Sequence, residues 1–217
     1  MATRTDEGPA AASGGRTATE AMILEQACRL FARRGFDGTS IRDIANAVGI
    51  SNAALYHYFT DKDELFARIV ISVIERQCAM MEQRLQHADP PGKKLRVFMG
   101  AYADFFAANT TESVASSRSF GALEKSDQRE RAIYWRDRYE RILRDILQEG
   151  MESGEFRKGD VALTGRAILS CLNWIYRWYS PSGPLGPKEI VEGYADILIN
   201  GIGAAPEKAK KKQARKR

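Results

Sequence analysis

The stretch SIRDIANAVGISNAALYHYFTDKDEL, Ser40 to Leu65, holds two short amphipathic runs, a glycine between them and the capped start of a third helix within 26 residues. Ser40 is a good helix N-cap, and Asp43 three positions on completes a reciprocal capping box. Ile41, Ile44, Ala45 and Val48 then share one face of a helix about two turns long. Gly49 ends it, because glycine tolerates the left-handed conformation of a sharp C-terminal turn. Ser51 caps the next helix, in which Leu55 and Phe59 face inward while Asn52, Ala53, Tyr56 and His57 fall on the open flank. Thr60 is expected to cap a third helix, with Asp63 at its third position. Two short helices joined by a tight turn, the second starting with small and hydrogen-bonding side chains, form a helix-turn-helix arrangement whose second helix can enter a major groove.

Upstream, Met1 to Arg16 is rich in Gly, Ala, Ser and Thr and has almost nothing to bury, so residues 1–16 read as a disordered arm. Thr17 with Glu20 makes a plausible capping box. Ile23, Leu24, Ala27, Leu30 and Phe31 then mark a supporting helix that ends at Gly35, and residues 17–66 make up the three-helix unit. Downstream, the helix after Thr60 runs through Phe66, Ile69, Val70, Val73 and Ile74 toward Leu85, so it starts in one unit and ends in the next. After the break at Asp89 to Gly92, Leu95, Phe98, Met99, Tyr102, Phe105 and Phe106 repeat at helical spacing. Thr110 to Ser119 is polar, with Val114 as its main apolar anchor. Ile133 to Leu147 belongs to a long helix with an arginine-rich face. Gly159 to Tyr179 and the helix carrying Ile190, Val191, Tyr194, Ile197, Leu198 and Ile202 have more apolar surface than one core requires. The expected class is all-α, with a larger helical ligand-binding and dimerisation domain over residues 67–203. Leu172, Ile175, Tyr179, Val191, Tyr194 and Leu198 are the expected dimer contacts in a four-helix interface.

Composition narrows the function. No segment approaches eighteen consecutive apolar residues, so no membrane span or membrane partner is expected. The N-terminus lacks the apolar core of a signal peptide, which points to the cytoplasm. Cys28, Cys78 and Cys171 have no metal-ligand spacing and read as small hydrophobes; no metal site is expected. Neither they nor His87 belongs to a nucleophile–base constellation, so no catalytic residue and no enzyme activity are expected. The net charge of +5 is a property of one end: Glu207 to Arg217 carries seven basic residues and one acid, leaving residues 1–206 slightly acidic. Residues 204–217 read as a basic disordered tail that either contacts flanking phosphate or stays solvated.

The pattern Ala27, Phe31, Gly35, Phe36, Thr39, Ser40, Ile44, Ala45, Val48, Gly49, Ile50, Leu55, Tyr56, Tyr58, Phe59, Lys62, Leu65 resembles the DNA-binding domain of the TetR family of bacterial transcriptional regulators. Tyr58 stands where many members carry His. The resemblance implies that the helix from Thr60 transmits tilt between domains and that Lys62 is a phosphate anchor. The series Asn173, Trp174, Tyr176, Arg177, Trp178, Tyr179, Pro181, Gly183, followed by Glu189 and Tyr194, is similar to the ligand-binding end of members that control fatty-acid, steroid-degradation and other acyl-coenzyme A metabolism. That narrower likeness implies a possible acyl-CoA effector; no cofactor is otherwise expected.

On this reading the chain is a ligand-responsive repressor that binds a pseudo-palindromic double-stranded DNA operator as a homodimer and is released by a small apolar effector. Thr39, Arg42, Ser51, Asn52, Ala53, Tyr56, His57 and Lys62 are its expected DNA contacts. Phe105, Phe106, Phe120, Tyr134, Tyr139, Trp174 and Trp178 either line a cavity or pack as core, with Arg118, Arg136 or Arg177 at a polar mouth. The alternative is a helical protein-interaction module that does not bind specific DNA sequences.

Overall fold

A computed structural model describes residues 11–118, 121, 123 and 128–201, with side chains from Thr17 onward. The described residues form nine α-helices: α1 (Ala11–Arg34), α2 (Ile41–Val48), α3 (Asn52–Tyr56), α4 (Lys62–Leu85), α5 (Pro91–Ala108), α6 (Thr110–Arg118), α7 (Arg129–Glu152), α8 (Val161–Asn173) and α9 (Pro187–Asn200). A 3-10 turn, Ile175–Arg177, follows α8. The fold is all-α, as its helical periodicities require, with a small N-terminal bundle against a larger helical domain.

The small bundle is built as the capping signals dictate. Ser40 accepts from the Asp43 amide at 3.1 Å, and the Asp43 carboxylate accepts from the Ser40 amide at 2.9 Å. Gly49 has φ +80°, and its amide closes α2 onto the Ala45 carbonyl at 2.9 Å. Ser51 caps α3 by accepting from the Ala54 amide. The third cap differs from the expectation. Asp61, not Thr60, is the N-cap of α4 and accepts from the Glu64 amide at 2.7 Å, while Glu64 reaches back to the amide and hydroxyl of Thr60. The run TDKDE offers two caps one residue apart, and only the Asp61 frame lets Glu64 satisfy the preceding residue.

Helix α1 begins at Ala11, inside the stretch expected to be an arm, and Thr17 lies within it. Alanine has the highest helix propensity, and each residue added to an existing helix gains a backbone hydrogen bond. Residues 1–10 and the basic tail lie outside the described residues.

Two apolar cores share α4. The first joins Ile23, Ala27 and Phe31 of α1 to Ile44, Leu55, Phe59, Leu65 and Phe66. It also takes in Ala115 of α6 and Ala132 of α7, so packing does not stop where the small bundle ends. On α6 the buried apolar residue is Ala115, whereas Val114 is half-buried. The second core gathers Met81, Phe98, Tyr102, Leu143, Leu172, Ile175 and Val191 from α4, α5, α7, α8, the 3-10 turn and α9. Where α7 ends, Phe156 lies directly on Gly150, and a Cβ at Gly150 would meet its ring at 2.1 Å. Glycine is required there by close approach.

The helix expected from Gly159 to Tyr179 is broken at Trp174. Arg177 and Trp178 donate to carbonyls three residues back, at 3.0 and 3.2 Å, instead of four. This tightening turns Ile175 fully inward and leaves Trp174 and Trp178 on the surface.

Candidate functional site

The exposed face of the small bundle is made by α3 and the residues around it. With Leu55 and Phe59 committed to the core, Ser51, Asn52, Ala53, Tyr56 and His57 remain exposed, and Tyr56 shows about half its surface (53%). Arg42 is exposed on α2. The residues from Ser51 to His57 lie at the start and open flank of the second helix of the motif, a geometry in which short side chains can approach base edges.

Two of the expected DNA contacts, Thr39 and Lys62, also make hydrogen bonds within the small bundle. Thr39 is buried, and its hydroxyl donates to the Gly35 carbonyl at 2.9 Å. Lys62 donates from Nζ to the carbonyls of Phe36 and Thr39 at 2.9 and 3.0 Å and sits 4.0 Å from the Phe36 ring centre. The chain turns sharply between α1 and α2, leaving carbonyls without helical partners, and the ammonium satisfies them. Lys62 thereby ties the first turn of α4 to the loop before α2.

The capping box around α2 makes a pH-dependent contribution. Hydrogen bonds from the side chain and backbone of Ser40 hold the Asp43 carboxyl below its ordinary 3.8. A depressed carboxylate stabilises the fold above its unfolded pKa, and the benefit is lost as pH falls through its folded value. The variant S40A is expected to lower Tm by about 2–4 °C near pH 7. Scanning calorimetry at pH 7 and pH 3 should show a smaller gap between variant and parent in acid.

In the larger domain, α4 to α8 surround a cavity of about 560 Å3. Helix α4 contributes Val70, Val73, Ile74 and Gln77; α5 contributes Tyr102; α6 contributes Ser113, Ser116 and Ser117. Arg136, Tyr139 and Glu140 come from α7, and Arg166, Leu169, Ser170 and Asn173 from α8, with Trp174 and Tyr176 beyond it. The volume lies within the range typical of small-molecule sites. Its wall is mainly apolar, with two guanidinium groups. Glu140 accepts from Arg144 at 2.8 Å and lies 3.9 Å from Arg136, whereas Arg166 is exposed.

Of the aromatic and arginine residues expected at a pocket, Arg136, Tyr139 and Trp174 line this one. Phe105 and Phe106 are core: Arg76 lies over the first ring, and the second stacks with Tyr102 and meets Tyr179 edge-on. Tyr134 is exposed and sits edge-on to Trp135. Arg177 lies over the outer ring of Trp174, and Trp178 packs on Tyr194. Phe120 lies outside the described residues. Arg118 donates to the carbonyls of Ala32 and Arg33 at 3.2 and 3.3 Å, joining the end of α6 to the end of α1. The cavity serines and Gln77 fall outside the expected set. For the α6 serines the signal in the sequence is the polar composition of Thr110 to Ser119 inside an otherwise apolar domain.

The expected dimer contacts divide by burial. Leu172, Ile175 and Val191 are buried in their own protomer and have no surface to offer a partner. Tyr179, Tyr194 and Leu198 are half-buried. The large apolar side chains left open on α8, the 3-10 turn, the loop after it and α9 are Leu163, Trp174, Trp178, Leu185 and Ile197, each about half exposed or more. Helical periodicity identifies apolar positions, but around Trp174 the 3-10 turn decides which of them face out.

Residues 23–69 match the family described as bacterial regulatory proteins, tetR family, and residues 88–202 match the tetracyclin repressor-like C-terminal domain. The transcriptional repressor KstR2 of Mycolicibacterium smegmatis is 29% identical over 191 residues, covering 83% of this chain and 88% of its own. The TetR-family regulator PfmR from Thermus thermophilus superposes with a TM-score of 0.76 at 41% identity, covering 84% of this chain and 99% of that one. AibR, solved in complex with isovaleryl coenzyme A and operator DNA, gives a TM-score of 0.76 at 25% identity over 83% of this chain and 98% of its own.

Proposed function

The chain belongs to the TetR family of bacterial transcriptional regulators, and from that premise we propose that it is a cytoplasmic, dimeric repressor that leaves its operator when an acyl-CoA enters the cavity. The observation that carries this reading is the double role of α4. Its first residue, Lys62, holds the loop before α2, and two to four turns later Val70, Val73, Ile74 and Gln77 line the cavity. An occupant that displaces this wall tilts the helix and with it the reading face. Helix α6 supplies a second link, since its serines line the cavity while Arg118 grips the end of α1.

In this reading Ser51, Asn52, Ala53, Tyr56 and His57 contact DNA, with Arg42 on phosphate. No arginine stands on α3 to read guanine bidentately, so sequence preference rests on short polar and apolar contacts and on DNA deformation. The dimer forms through the open apolar side of α8, the 3-10 turn and α9, around Trp178 and Ile197. Pairing two reading heads implies half-sites about one helical turn or a multiple apart. The effector shifts the population toward a head spacing that fits the operator poorly. Acyl-CoA as effector class is supported by the apolar cavity with Arg136 and Arg166 beside it and by likeness to AibR, whose complex holds isovaleryl coenzyme A.

Titration with acyl-CoA thioesters of increasing chain length should change tryptophan fluorescence saturably, and most of the change should vanish in W174F. Free coenzyme A should bind at least about tenfold more weakly, since it leaves the apolar wall unfilled. A flat response to every thioester would remove acyl-CoA as the effector class.

A further inference from the structure

Three residues that line the cavity, Ser113, Ser116 and Tyr139, carry side-chain hydroxyls that are buried and have no hydrogen-bond partner among the described residues. Each residue is more than nine-tenths buried. Ser113 and Ser116 are three apart on α6 and therefore share one face, and Tyr139 belongs to the α7 wall of the same cavity. The neighbouring phenol is different, because Tyr102 donates to the Leu172 carbonyl at 2.8 Å. Buried polar groups are ordinarily paired, and three orphans on one cavity are out of proportion to that rule.

We propose that Ser113, Ser116 and Tyr139 form a polar subsite that reads a hydroxyl group on the acyl chain of the effector, so that the preferred ligand is a hydroxyacyl thioester rather than a plain fatty one. The proposal rests on the acyl-CoA reading above and specifies its substrate class. A ligand alcohol accepts two hydrogen bonds and donates one, which matches three protein hydroxyls; a carbonyl oxygen accepts two and leaves the third unanswered. Burial raises the Tyr139 phenol well above its ordinary value, so it remains a protonated donor at any physiological pH. A charged group is a poor fit to three neutral hydroxyls.

The test compares the full-length protein with two variants, S113A/S116A and Y139F, by isothermal titration with thioesters of equal carbon number. The panel contains unsubstituted acyl-CoA and its 2-, 3- and terminal-hydroxy forms. At least one hydroxyacyl-CoA should bind parent protein about 10- to 100-fold more tightly than the unsubstituted thioester. That preference should collapse to about twofold or less in both variants. If all thioesters bind alike to the parent protein, the hydroxyls are satisfied by water and the inference fails while the acyl-CoA reading stands. If the variants weaken plain and hydroxylated ligands equally, the subsite holds the thioester carbonyl, which also overturns the inference. If no thioester binds, the acyl-CoA reading falls and takes this one with it. Circular dichroism of Y139F, which keeps the ring against Phe98, guards against misreading a folding defect as lost recognition.

Discussion

The double variant N52A/Y56A is expected to lose about 100-fold or more in affinity for its operator and almost nothing in stability. Both side chains are exposed on α3, and neither takes part in the apolar core that Leu55 anchors beside them. A good base contact is worth about 1–3 kcal/mol, and two such losses on each head of a dimer compound through linkage of the heads. Tm should stay within about 2 °C of the parent. Since neither residue is charged, the dependence of binding on salt should keep its slope. R42A, by contrast, should weaken binding and flatten that slope by about one for each phosphate it no longer neutralises. Fluorescence anisotropy with a labelled duplex at three salt concentrations separates these outcomes. Parent-like affinity in N52A/Y56A would show that α3 does not read DNA.

Phe66→Ala is expected to give the largest loss of stability. The ring is fully buried at the point where α1, the loop before α2 and α4 meet, 5.3 Å from the Phe31 ring centre and 5.1 Å from that of Phe36. Removing a buried phenylalanine costs about 3–5 kcal/mol through forfeited transfer energy and the cavity left behind. For a chain of this length that corresponds to a Tm lower by roughly 6–20 °C, measurable by circular dichroism. DNA binding should fall as well, because the same ring supports the loop that Lys62 grips from α4. A shift below about 2 °C would mean that the three-ring cluster does not hold the bundle together.

The two predictions draw on features of unequal legibility. Caps at Ser40 and Ser51, the turn at Gly49, and the inward faces of α2 and α3 are local, and short-range hydrogen bonding and periodicity determine them almost completely. Among these caps the sequence misleads only at Thr60 and Asp61, where two capping residues stand side by side. By contrast, Lys62 and Thr39 point to DNA by sequence position, yet their partners are carbonyls of residues 35, 36 and 39, which for Lys62 lie across the fold. Nothing in local spacing announces the lysine's contact. In the larger domain, residue type is a poor guide to the cavity: aromatics are expected on its wall, yet Phe105 and Phe106 fill core. Small hydroxyls on α6 leave the space that those rings would have closed. The apolar surplus of α8, the 3-10 turn and α9 is legible in the sequence, and which side chains stay open is not: winding tightens to 3-10 after Trp174, burying Ile175 and leaving Trp174 and Trp178 exposed.

Ligand-controlled DNA binding is best tested by competition anisotropy of the full chain on a labelled duplex from its own upstream DNA, with excess nonspecific duplex, titrated with and without saturating acyl-CoA. Specific binding to a two-fold-related sequence is expected, at a stoichiometry of two chains per pair of half-sites, as is the ligand response: affinity at least about tenfold weaker when the thioester is present, a coupling of roughly 1.4 kcal/mol or more. Specific binding that no thioester alters, or the absence of any specific binding, would contradict this mechanism.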